Sequence, residues 1–245
     1  RRNLSKRFSL QANYRWSKWL HTSSDTSTGQ FADNSEPGKG AVNVDCLRCE
    51  RGPSLFDIPH RFSAQFLWLP VWTVGNKWIS YAVKDWQVAA IFTRQSGRPF
   101  SVWNGAASTA GGDYNRDGGG GAVGGGFYDR PNAPAPGAVK TSFEKKDFLG
   151  GVFPASAFPA PAPGQSGTLG RNTFRGPKYS TVDLSLARSF RALESKQIQI
   201  RFEAFNPFNN VNLYLPNADL SLSNFGKSTQ AFEARTLQIG ARFIF

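Results

Sequence analysis

The last ten residues, Thr236 to Phe245, alternate without a break. Leu237, Ile239, Ala241, Phe243 and Phe245 form an apolar set, and Thr236, Gln238, Gly240, Arg242 and Ile244 form a set that is mostly polar or small. A period of two means an extended strand with two unlike faces. Bare in water, a strand with an aromatic face and a free edge invites aggregation. Two settings relieve it. The apolar face meets lipid while the edges zip into a closed barrel, or it packs on a second sheet of a soluble β-protein.

The same period recurs upstream. Phe8, Leu10, Ala12, Tyr14 and Trp16 alternate with Ser9, Gln11, Asn13, Arg15 and Ser17 in a stretch placed at 4–20. Further strands are expected at 59–72, 86–102, 179–190, 197–206 and 235–245, giving an all-β antiparallel meander of about six long strands. Membrane strands need about 9–11 residues to cross tilted, longer than the usual soluble strand. The connections alternate in length. Loops at 21–58, 103–177 and 207–234 are long, whereas those after the second and fourth strands are short. Long loops at one end of a meander and short turns at the other match the polarity of outer-membrane barrels. Trp72 and Trp86 fall at one end of neighbouring strands, as in an interfacial aromatic belt or as a pair of core tryptophans.

Composition narrows the function classes. The net charge of +12 brings nucleic acid to mind, but the basic residues are scattered and form no cluster of five. A dispersed basic excess suits a polar channel wall or an anionic surface. No run of about 18 apolar residues exists, so no spanning helix is expected. The chain lacks methionine and opens on Arg1-Arg2, which reads as a piece of a longer protein. No enzyme is expected. His21 and His60 have no nucleophile at a recognisable spacing, and the glycines near 118–126 precede no helix that would make a phosphate site.

Several longer motifs, taken in order, resemble the C-terminal part of TonB-dependent outer-membrane receptors, especially the large type with a carboxypeptidase-regulatory-like N-terminal domain. They are Asp57-Ile-Pro-His-Arg-Phe62, Trp86-Gln-Val-Ala, Ser96-Gly-Arg-Pro-Phe100, Asp129-Arg-Pro-Asn132, Gly170-Arg-Asn-Thr-Phe-Arg-Gly-Pro177, Val182-Asp-Leu-Ser-Leu186, Arg201-Phe-Glu-Ala-Phe-Asn206, Phe208-Asn-Asn210 and the closing strand. The resemblance implies an incomplete segment of a transmembrane barrel of about 22 strands around an N-terminal plug. It implies the bacterial outer membrane, a periplasmic C-terminus and extracellular long loops. It implies energy-coupled uptake of a scarce solute such as a siderophore, a cobalamin or an oligosaccharide. Its partners would be membrane lipid, TonB through a plug region absent from this chain, and the barrel-assembly machinery, which would read Leu237, Ile239, Ala241, Phe243 and Phe245. The segment alone is not expected to transport. The rival is a secreted soluble β-domain that binds glycans or a surface partner, with calcium in a loop.

Three loop features invite chemistry. Cys46 and Cys49 read as a local disulfide, a redox pair or part of a zinc site; an oxidising compartment favours the first. Asp113-Tyr-Asn-Arg-Asp-Gly118 has the form of a calcium loop, with Asp113, Asn115 and Asp117 as oxygen ligands and Asp129 as a late one. The position where an EF-hand carries its bidentate Glu is Gly124, so a polar turn is the competing reading. Trp103, Tyr114, Phe127 and Tyr128 could stack on a solute's rings or pack within the loop. Asp183, Arg201, Glu203 and Arg242 fall on the polar strand face, where they are expected to form charge pairs.

Overall fold

The computed structural model describes residues 2–5, 7–22, 42–43, 45–105, 108, 110–118, 129–193 and 196–244. In chain order the elements are β1 (Arg2–Ser5), β2 (Phe8–Trp16), β3 (Leu20–His21), β4 (Gly52–Pro53), β5 (His60–Trp68), α1 (Lys77–Val83), β6 (Trp86–Gln95), β7 (Pro99–Phe100), α2 (Lys145–Gly150), β8 (Phe174–Arg175), β9 (Tyr179–Leu193), β10 (Lys196–Phe205) and β11 (Thr236–Ile244). Seven of these make one antiparallel sheet, ordered β1-β2-β5-β6-β9-β10-β11, and that sheet is not closed. Each strand pairs with the next long strand in sequence, so the meander is as expected. The first expected strand is in fact two: β1 folds back on β2, with Arg2 opposite Leu10. The second and third expected strands end earlier, at Trp68 and Gln95.

The end of β6 has a physical cause. A Cβ on Gly97 would lie 1.9 Å from the carbonyl oxygen of Gly176, so only glycine allows the chain to pass there. Pro99 then lacks the N–H that a central ladder needs. The chain leaves the sheet and makes a two-stranded ribbon, with Phe100 opposite Phe174.

Register locks the apolar faces together. Leu10, Phe66, Ala90, Leu184, Ala204 and Leu237 form one continuous row across six strands. Phe8, Trp68, Val88, Leu186, Phe202 and Ile239 form the next. Directly opposed residues share a face, and a slip of one residue would turn a whole row to the other side. Among the described residues no second sheet covers this face. Ile239 is 73% exposed, and Leu10, Leu184, Leu186, Phe202 and Leu237 are exposed as well. On the same face, Trp86 lies opposite Arg188 at one end and Arg94 lies opposite Ser180 at the other. Eight residues separate these two levels, about 26 Å along the strand. With the tilt of a barrel strand the uncharged band is roughly 20 Å tall, close to the outer apolar band of such barrels. Tyr14 and Trp16 stand exposed at the long-loop end, and Trp72, Trp78 and Tyr81 at the other.

The opposite face is polar. Arg201 and Glu203 form an ion pair of 3.6 Å. Gln238 donates from Nε2 to Glu203 Oε2 at 2.5 Å. Asp183 Oδ1 accepts the Asn206 amide at 3.1 Å, and Arg242 lies opposite Gln199 by register.

The hydrophobic core is elsewhere. Phe100, Val102, Trp103, Phe148, Val152, Phe153, Phe158, Leu169, Phe174, Leu213, Leu215, Ala218 and Phe225 form one buried cluster, and all of them lie in the loops. Stretches read as irregular, together with Phe100 and Val102 from the end of the expected strand 86–102, therefore fold into a packed layer at one end of the sheet.

Candidate functional site in the layer of long loops

The layer joins segments from all three long connections. The first loop starts after Trp16 and returns to β5 by short-range bonds. Trp19 N–H donates to Asp57 Oδ1 at 2.8 Å, and Ser54 N–H donates to the Trp19 carbonyl at 2.9 Å. Cys46 and Cys49 are disulfide-bonded, with Cα atoms 5.3 Å apart, which decides among the three readings of that pair. The turn they close positions Glu50, which is fully buried.

Two ion pairs fasten this loop to the second. Arg130 donates from Nη1 to Glu50 Oε2 at 2.9 Å and from Nη2 to Glu50 Oε1 at 2.7 Å, and its Nε–H reaches the Leu169 carbonyl at 2.9 Å. The planar guanidinium thus satisfies a buried carboxylate with both forks and a carbonyl with its remaining edge. Arg175 pairs with Asp57 and also donates to the Asp57 carbonyl at 2.6 Å. Between the pairs lies Asn172, almost fully buried with φ of 50°. It accepts the Ser101 hydroxyl at 3.0 Å and donates to the Pro53 carbonyl at 2.7 Å.

The third loop docks through backbone bonds and aromatic packing. Trp103 N–H donates to the Ala218 carbonyl and Leu220 N–H to the Trp103 carbonyl, both at 3.0 Å. Val152 N–H donates to the Gly226 carbonyl at 3.0 Å, and Ser228 N–H to the Phe148 carbonyl at 2.7 Å. The Phe153 ring touches those of Phe100, Phe158, Phe174 and Phe225, with centroids 4.5–6.2 Å apart. Burying rings of this size stabilises the layer by about 2 kcal/mol or more apiece.

The expected site residues separate. Trp103 is only 8% exposed and belongs to the core, so its ring is not a surface for stacking on a solute. That corrects the expectation. An aromatic in a long Gly-rich loop looks exposed because sequence does not show the segment near Asp219 that covers it. Tyr114 is half-buried, and its carbonyl accepts the Gly164 amide at 2.7 Å. Phe127, Tyr128 and Phe245 lie outside the described residues. Exposed aromatic rings of the layer include Trp19, Phe56 and Phe208.

The Asp113–Gly118 turn uses its own oxygens. Asp113 accepts the amides of Asp117 and Gly118 at 3.2 and 3.1 Å, and Asn115 Oδ1 accepts that of Asp117 at 3.1 Å. Asp129 closes the turn by accepting the amides of Tyr114 and Asn115 at 2.6 and 2.8 Å. Burial, reinforced by the nearby carboxylates of Asp117 and Asp113, pushes its pKa up to about 6 despite those two amides. Among the described residues no three His, Cys, Asp or Glu side chains are grouped to hold a metal. In this arrangement the motif's oxygens serve the amides of its own turn.

The polar residues that fasten the layer carried no assigned role in the sequence. Asp57, Arg130, Asn172, Arg175 and Asn206 all stand inside the motifs quoted for the family resemblance. The signal was there, but it marks loop architecture and not ligand contact.

An open sheet with an uncovered apolar face, a polar reverse face and all its long loops folded together at one end has one known kind of home. The model of the outer membrane beta barrel domain family matches residues 1–238. The chain belongs to that family. No curated protein and no solved structure matches it. As an outer membrane beta barrel domain, it crosses the bilayer with strands. No helix among the described residues is long and apolar enough to cross a membrane. The exposed face is then the lipid face, and its aromatic and basic ends mark the two interfaces.

Proposed function

We propose that this domain is the C-terminal part of a TonB-dependent receptor barrel, and that the complete protein takes up a scarce solute by energy-coupled transport. The solute class is a siderophore, a cobalamin or an oligosaccharide. The loop layer is the observation that carries this reading. A passive pore gains nothing from a dense extracellular layer with its own aromatic core and buried ion pairs. A receptor that must hold a rare solute over a gated lumen gains a rigid platform. The layer's fixed elements serve as scaffold. Contact with solute falls to Tyr114, Phe127 and Tyr128 of the second loop and to exposed rings such as Trp19 and Phe208. TonB engages the receptor through a plug outside this segment, and the barrel-assembly machinery engages β11.

Uptake by whole cells tests the reading. A panel of labelled ferric siderophores, cobalamins and oligosaccharides is offered to cells with and without the complete receptor. The expected result is accumulation of one class, lost when TonB is deleted and when residues 103–177 are replaced by a short Gly-Ser turn. Accumulation that persists without TonB would make the protein a passive pore and sink the proposal.

A further inference from the structure

The connection between β5 and β6 carries a feature that neither the barrel nor the loop layer uses. Helix α1 is seven residues long and none of them is buried. Trp78 is 85% exposed, with Ile79 and Tyr81 exposed beside it. So short a helix is marginal in water. It is held at its start by Asn76, whose Oδ1 accepts the Trp78 amide at 2.9 Å. It is held at its end by Trp86, whose indole N–H donates to the Ala82 carbonyl at 2.9 Å. Trp86 belongs to the lipid face, so the helix turns outward and lies against that face at the short-turn end.

Under the helix sits Arg188. Register puts it opposite Trp86 on the lipid face, one row inside the apolar row of Phe190, Ile198 and Phe243. Its guanidinium lies 4.5 Å from the Phe190 ring centroid, 5.2 Å from Tyr81 and 5.4 Å from Trp86, and it donates to the Tyr81 carbonyl. Among the described residues its buried Nε–H has no hydrogen-bond partner, and the ion pairs there do not include it. A cation facing hydrocarbon is costly unless an anion meets it. The aromatic rings hold the charge in place but do not neutralise it. Lys77 and Lys84 flank the helix, both exposed.

We propose that α1 and Arg188 form a binding site for one anionic phospholipid of the periplasmic leaflet. The phosphate meets Arg188, with Lys77 or Lys84 beside it. The acyl chains continue onto the apolar rows of β6 and β9, and Trp78 and Ile79 dip into the headgroup boundary. A lipid is the occupant because the site is continuous with the lipid-facing surface and has the charge an inner-leaflet headgroup complements. The assignment rests on the short turns being periplasmic and is independent of what the loops bind.

The complete barrel, folded in vesicles of phosphatidylcholine with phosphatidylglycerol, is extracted in mild detergent and examined by native mass spectrometry. Wild type should retain phosphatidylglycerol over phosphatidylcholine. Arg188→Gln should lower that retention about fivefold, the effect of one interfacial charge. Lys140→Gln, in the loop layer, should leave it unchanged. In parallel, Ile79→Cys carries a fluorophore, and Cys46 and Cys49 stay unlabelled because they are bonded to each other. Brominated lipids should quench that fluorophore. Equal retention by Arg188→Gln, or no quenching at position 79, overturns the proposal. So does displacement of the lipid by millimolar inorganic phosphate, which would mark a free-anion site. Heat-modifiable electrophoretic mobility reports whether each variant has folded. Should Arg188→Gln fail to fold, the exposed double variant Lys77→Gln/Lys84→Gln replaces it, and unchanged retention there overturns the proposal equally.

Discussion

Arg130→Met removes one half of the buried ion pair that fastens the first loop to the second. Glu50 is fully buried, and Arg130 supplies it with two hydrogen bonds of 2.7 and 2.9 Å. Among the described residues the Glu50 carboxylate would keep the Asn43 amide alone, at 3.3 Å, and the Leu169 carbonyl would lose the Nε–H donor. Methionine fills much of the volume, so the loss is electrostatic and not a cavity. Breaking a buried pair from one side costs about 3–5 kcal/mol, because the surviving charge stays buried without its partner. That cost falls on the loop layer, since neither residue is in the sheet. It corresponds to a loss of local protection of roughly two to nearly four decades. Hydrogen exchange by mass spectrometry on the folded barrel in lipid reads it directly. Peptides covering residues 45–58 and 129–133 should exchange far faster, while peptides from β6, β9 and β10 keep their protection. The double variant Glu50→Gln/Arg130→Met removes the stranded charge and should recover more than half of the loss. Unchanged exchange in Arg130→Met, or a double variant as damaged as the single one, would refute the view that this pair clamps the two loops.

Four further outcomes can be measured. Leu184 lies midway along the uncharged band, so Leu184→Arg should destabilise membrane folding by about 2–4 kcal/mol, whereas Ser185→Arg on the other face should cost little; equal effects in a vesicle refolding titration would contradict the assignment of the two faces. Asp129 has its folded pKa raised to about 6. The folded turn therefore takes up a proton before the unfolded one does, and the turn should gain protease protection as pH falls from about 7 toward 4, a gain that Asp129→Asn abolishes. Because its oxygens already serve the turn's amides, cleavage at 113–118 should be the same with calcium and with chelator, and calcium-dependent protection would instead make the turn a cation site. Deleting Phe245 from the complete protein should reduce assembly into the outer membrane, measured by surface protease accessibility; undiminished assembly would remove that residue from the assembly signal.

The sheet was legible because its rule is local. A two-residue period in β2, β6, β10 and β11 declares both faces without knowledge of any other segment, and loop lengths declare the two ends. The boundaries shifted where a long-range contact decided them, as at Gly97, which ends β6 because the Gly176 carbonyl passes beside it. The loop core was illegible for the same reason. Phe100, Phe148, Phe153, Phe158 and Phe225 follow no common period, and only the folded chain brings them together. The choice between stacking and packing for Trp103 was not legible because its cover comes from residues more than a hundred positions away. The ion pairs occupied an intermediate place. Asp57, Arg130 and Arg175 stood out as members of recognisable motifs, but their partners are 80 to 118 positions distant in sequence. The helix α1 was not read in the sequence, because seven residues are too few to display a helical period.

The layer of loops also sets a sequence of events. Its three contributing segments hang from three different strand pairs, and its Phe cluster is complete only when all three are on the same side of the bilayer. A preformed ball of side chains could not thread between lipids, so each segment must cross while unfolded and collapse afterwards. The Trp103 and Asp219 segments then act as a bolt shot from outside: once they meet, withdrawing either hairpin would require dismantling contacts held by the other.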